Sequence, residues 1–144
     1  MINARRGALL TSLTLAAVLA TGLTPGTASA QFAPDTLTVD SVGRLAEDGV
    51  VTLTGTYRCS SLRTDPVLIG VKALQGSTRA DTGGTAATCD DRVRTWSSSG
   101  RPHSGAFAPG SARGEAAMIE LDLSGGLPLP HVITYGEKEL TLRR

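Results

Sequence analysis

The sequence predicts an all-β fold for a single exported domain. Three observations predict it. Short stretches alternate apolar and polar residues, with turn signals about every 8–12 residues. The first thirty residues read as a secretory signal peptide, which puts the rest of the chain in an oxidising compartment. Two cysteines, Cys59 and Cys89, are then expected to pair.

The N-terminal segment has three parts. Arg5 and Arg6 make the positive start, Gly7 to Ala20 (GALLTSLTLAAVLA) the apolar stretch, and Ala28-Ser29-Ala30 the small-x-small cleavage site. The apolar part is shorter than the roughly 20 residues of a membrane span. An uncleaved anchor is the alternative, and the Arg pair leaves Sec and twin-arginine export both open. Cleavage after Ala30 leaves Gln31 to Arg144, a domain of 114 residues with 12 basic and 13 acidic side chains. No second long apolar run follows. The expectation is a secreted domain, compatible with a monomer and without stable membrane insertion. A near-neutral charge offers no electrostatic footprint for nucleic acid or for anionic lipid. Five aromatic residues are too few for stacking platforms that bind sugars or single strands.

The strands follow in order. Thr36 to Val42 (TLTVDSV) puts Leu37 and Val39 on one face. Glu47-Asp48-Gly49 is a turn. Val50 to Cys59 is the clearest strand: Val51, Leu53, Gly55, Tyr57 and Cys59 share the inner face, and threonines with Arg58 the other. Thr64-Asp65-Pro66 turns the chain into Val67–Leu74, whose near-continuous apolar run suits a central strand. A polar region from Gly76 to Gly84 reads as a connection, before a short strand Thr85–Cys89. Asp90-Asp91 turns into Arg92–Ser97, and Ser98–Ser111 reads as the longest loop. Ala112–Leu123 is a strand by the surrounding rhythm, with a helix as the alternative, since ARGEAAMIELDL is rich in helix formers. Val132–Leu142 closes the chain, with Gly136 expected at a bend or bulge.

Because Cys59 lies on the inner face of its strand, its partner must lie on a neighbouring or facing segment, within about 7 Å between Cα atoms. A metal-binding or redox pair is the other reading, but there is no C-x-x-C and no standard zinc spacing. The size, the staple and the strand rhythm together point to one immunoglobulin-like β-sandwich of about seven strands. Trp96 follows the second cysteine, so the antibody arrangement is not expected.

GTYRC at Gly55–Cys59, TCDDRVRTW at Thr88–Trp96, FAPGSARGEA at Phe107–Ala116 and ELDLSGGLPLP at Glu120–Pro130 resemble a family of small exported actinobacterial proteins of unknown function. The resemblance covers about Asp35 to Leu142. It implies export and one compact domain, and it carries no catalytic residue. Gly114 stands where an apolar residue is expected and is expected to loosen its strand.

Catalytic constellations are sparse. No G-x-S-x-G elbow occurs, and His103-Ser104, being adjacent, does not make a triad half. Asp90-Asp91 reads as a turn before a calcium site. Gly83-Gly84 lacks the strand–loop–helix context of a phosphate loop. No cofactor and no metal are expected. Arg92, Arg94 and Trp96 share one strand face by parity, and with Arg101 and His103 they form the candidate recognition patch; the competing structural reading puts Trp96 in the core. The expected function is a non-catalytic module binding a protein or an envelope component. A small-ligand carrier and a protease inhibitor using Arg101 in the Ser98–Ser111 loop are the alternatives.

Overall fold

The computed structural model describes residues 32–144. Eight strands form one sheet with no helix among the described residues: β1 Thr36–Leu37, β2 Val42–Leu45, β3 Val51–Arg58, β4 Val67–Gln75, β5 Thr78–Ala86, β6 Val93–Gly100, β7 Gly110–Asp122 and β8 Leu129–Arg143. The signal-peptide reading falls on residues 1–30, outside the described part.

The ladder runs β6–β3–(β1, β2)–β8–β7–β4–β5. β1 and β2 occupy successive stretches of the same β3 edge. β2 then passes to β8 as a parallel neighbour, Val42 opposite Thr141, and every other pairing is antiparallel. The strand count exceeds the expected seven or so because the expected strand Thr36–Val42 breaks over residues 38–41, leaving the short β1, and β2 starts at Val42 and runs on to Leu45. The ladder is continuous, and it curls so that β3 faces β7 across the core. At Gly114, midway along β7, a Cβ would lie 2.9 Å from Val39 and Leu140 and 3.1 Å from Leu53. Gly114 therefore makes room for facing side chains, and β7 runs unbroken through it.

Burial follows the alternation read from the sequence. Val51, Leu53, Gly55, Tyr57 and Cys59 all point inward. Ala112–Leu123 is strand, as expected, with Ala112, Ala116 and Met118 buried. Two expectations fail. The Gly76–Gly84 region is mostly strand: β5 ends at Ala86, and Ala87–Cys89 is connection. Only Ala80 of β5 is fully buried, so this edge strand carries almost no apolar period to read. The irregularity expected at Gly136 lies beside Ile133, where Met118 pairs with Thr134 and Ile119 with Val132. Gly136 instead allows a close approach, its missing Cβ being 2.7 Å from the Leu37 carbonyl oxygen.

The two sheet edges, β5 and β6, meet without a ladder between them. Hydroxyls join them: the Thr82 and Ser98 oxygens are 2.6 Å apart, and Ser98 also donates to the Thr82 carbonyl at 3.2 Å. Each edge thus covers the other, which removes the free pairing surface an exposed edge presents.

Strand directions give the sheet two ends. One end gathers the N-terminal lead Phe32–Asp35, the β3–β4 connection, the β5–β6 connection and the β7–β8 turn. The other gathers the β2–β3 and β4–β5 turns, the long β6–β7 connection and the C-terminus.

Candidate functional site

The disulfide organises the first of these ends. Cys59 leaves β3 on its inner face and meets Cys89 in the β5–β6 connection, with Cα atoms 4.4 Å apart. Cys59 is fully buried. Non-covalent ties repeat the link. The Asp91 amide donates to the Cys59 carbonyl at 3.0 Å, and the Thr88 amide to the buried Tyr57 hydroxyl at 2.9 Å. Asp91 adopts φ 65°, which turns the chain into β6.

Most charges of this end are paired internally, with Arg92 left exposed. Arg63 donates to Asp35 at 2.7 Å and to Glu120 at 2.8 Å, tying the N-terminal lead to the end of β7. Partial burial works against the Arg63 charge, but the hydrogen bond and attraction of Asp35, then those of Glu120, outweigh it and raise the pKa. Arg58 pairs with Asp91 at 3.0 Å and donates to the Ala33 carbonyl. Arg94 grips both oxygens of Asp90, at 2.6 and 3.1 Å. Hydrogen bonds hold three carboxyls below their ordinary range: Asp90 through Arg94, Asp91 through Ser61, and Asp122 through Ser124.

What remains at the surface is apolar. Nine large apolar side chains are exposed among the described residues, and seven of them lie at or beside this end. Leu123, Leu127, Leu129 and Val132 stand on the β7–β8 hairpin, with Leu127 75% exposed. Phe32 and Leu62 flank the Arg63–Glu120 pair, and Val93 opens β6. A shallow groove of about 290 Å³ lies on the outer face of β4, β7 and β8, floored by Gly70 and Ala117 and walled by Lys72, Glu115, Ile119 and Tyr135.

The five residues of the sequence-derived patch do not form one surface. Trp96 is buried, and its indole N–H donates to the Thr38 carbonyl at 3.0 Å. Gly55 is the reason it fits, since a Cβ there would sit 2.0 Å from that carbonyl oxygen and 2.7 Å from the indole. Arg94 is committed to Asp90, and Arg92 lies beside it, exposed. Arg101 and His103 follow the far end of β6, an eight-residue strand that spans roughly 25 Å. There Arg101 clasps Asp48 at 2.6 Å, and His103 meets Asp81 at 3.0 Å. Among the described residues no three His, Cys, Asp or Glu side chains gather as a metal site would require. The apolar end carried one signal in the sequence: Leu123 to Pro130 has three leucines and no charge in a turn, where polar residues are the rule.

These features define a small all-β domain stapled by one disulfide, with its exposed apolar side chains gathered at the stapled end. The chain belongs to a family of unknown function, DUF6299, whose model matches residues 33–144. No curated protein and no solved structure matches it.

Proposed function

We propose that this chain is a secreted, non-catalytic binding module that engages its partner through the disulfide end. One observation carries the reading: seven of the nine exposed large apolar side chains sit at or beside one end, around ion pairs that leave little free charge. Clustered apolar exposure of this kind marks interaction surfaces. The N-terminal reading as an export signal, together with the Cys59–Cys89 bridge, supports an extracellular setting. The size, the staple and the facing buried faces support an immunoglobulin-like description of the fold.

A small-ligand carrier is the second reading, favoured by the groove over Gly70 and Ala117 beside Tyr135. Intact mass of the protein recovered from culture medium, without reductant and under native conditions, tests both. Gln31–Arg144 less two hydrogens, with crosslinking to an envelope component that is lost on Leu127→Ser with Leu129→Ser, supports the binding module. Retained extra mass supports the carrier. A protein that stays in the cell at full length contradicts secretion.

A further inference from the structure

Arginines and carboxylates are matched over most of this surface. Every arginine among the described residues except Arg44, Arg143 and Arg144 has a carboxylate within 4.0 Å. Residues 1–31 contain no Asp or Glu that could serve these three. All three line one recess of about 460 Å³ on β2, β3 and β8, together with Val42, Thr52 and Thr54. Strand register explains the gathering. Arg44 stands opposite Thr52 on β3 and opposite Arg143 on β8, so the two arginines share an outward face on neighbouring strands. Like charges so placed repel each other and cost stability. The chain supplies no carboxylate to offset that cost, whereas an anion held between the two guanidiniums would.

The recess also states which anion. Several planar forks of N–H donors suit a tetrahedral oxyanion carrying more than one charge. The β3 side is polar without being basic. Thr52 Oγ1 lies 2.7 Å from Ser99 Oγ, and Thr54 donates to Asp40 at 2.6 Å, which leaves the lone pairs of Thr54 to accept from a ligand hydroxyl. Asp40 likewise accepts from hydroxyls at that margin and repels a second anionic group. Val42, 44% exposed, offers an apolar contact. No aromatic side chain lines the recess, so a nucleobase has nothing to stack on. The volume falls within the roughly 300–1,000 Å³ of small-molecule sites, which leaves room for an organic part beside the phosphate.

We infer that this recess binds the phosphate ester of a polyol, with Arg44, Arg143 and Arg144 on the phosphate and Thr52, Thr54 and Asp40 toward the hydroxyls. The site lies at the end opposite the disulfide and is separate from the apolar surface there. A soluble polyol phosphate and a phospholipid headgroup share this chemistry.

Glycerol 1-phosphate, titrated into the purified protein in phosphate-free buffer, should give saturable amide shifts at 42–44, 52–54 and 141–144 and leave the disulfide end unmoved. It should bind more tightly than inorganic phosphate, and glycerol alone should not bind. Arg44→Gln should weaken binding about tenfold, the scale of one charge-assisted hydrogen-bonded contact. Arg44→Lys, which keeps the charge and loses the fork, should weaken it as well. Arg44 is exposed, so both variants should fold. Arg92→Gln, at the other end, should change nothing. Vesicles of phosphatidylglycerol separate the two sources: retention that Arg44→Gln abolishes assigns the phosphate to a lipid headgroup, and binding of the soluble ester alone assigns it to a free one. No saturable shift, equal affinity for inorganic phosphate, or unchanged affinity in both Arg44 variants would overturn the inference, while sparing the binding-module reading of the disulfide end.

Discussion

At the disulfide end a covalent bond, four arginine–carboxylate pairs and a buried tyrosine tie together the β3–β4 and β5–β6 connections, the end of β7 and the N-terminal lead. At the opposite end the long β6–β7 connection is held by polar cross-links alone, apart from buried Phe107. Arg101 clasps Asp48, His103 meets Asp81, and Gln75 bonds both ways with Ala108. The difference teaches how a small domain keeps apolar side chains exposed without losing its shape. Where strong ties hold the backbone, the outward side chains are not needed for folding. Where polar side chains do the holding, the surface stays polar.

Breaking the covalent tie should have the largest effect. Cys59→Ala with Cys89→Ala removes the link across a separation of 30 residues and should lower stability by about 3–4 kcal/mol, measured by urea titration. Amides of 60–66 and 87–92 should lose exchange protection first, while those near Asp48 keep theirs. Uniform loss would mean that the two ends do not differ as described.

Gly55→Ala should cost about 1–3 kcal/mol, because the added methyl collides with the Thr38 carbonyl and the Trp96 ring. Trp96 belongs to the shared core, so protection at both ends should fall together and tryptophan emission should move to the red.

Acid should separate the ends again. Asp90, Asp91 and Asp122 have lowered pKa values in the folded chain, and all three lie at the disulfide end. The unfolded chain therefore binds protons first. The contribution of these groups is present above the ordinary carboxylate pKa of about 4 and is lost as pH falls through the lower folded values. Exchange measured down that range should show 87–92 and 121–126 loosening before 46–50, and Asp90→Asn should flatten the dependence. The smallest change is Arg101→Ala at the other end, where both partners are exposed. It should cost less than about 1 kcal/mol by thermal or urea unfolding.

Much of this architecture is legible in the residues themselves. Val51 to Cys59 alternates with period two, and its inward and outward faces are as read. Both follow from local periodicity, because a strand that buries one face must alternate. Only Thr85 and Ala86 of β5 fall within a strand expected from the sequence, because an edge strand at a polar seam has no apolar face to announce itself. Arg92, Arg94 and Trp96 group by parity and Arg101 and His103 lie close after them in sequence, whereas the strand carries these two groups to opposite ends.

By itself the sequence determined the all-β class, the pairing of Cys59 with Cys89 and the inward set of β3, since each follows from spacing and side-chain chemistry along one stretch of chain. Only the tertiary structure decided that Trp96 lies across Gly55 to reach the Thr38 carbonyl, that Arg63 joins Asp35 to Glu120, and that Phe32, Leu62 and Leu127 share one end. Those relations join residues far apart in the chain, and they arise only when the sheet curls and brings its connections together.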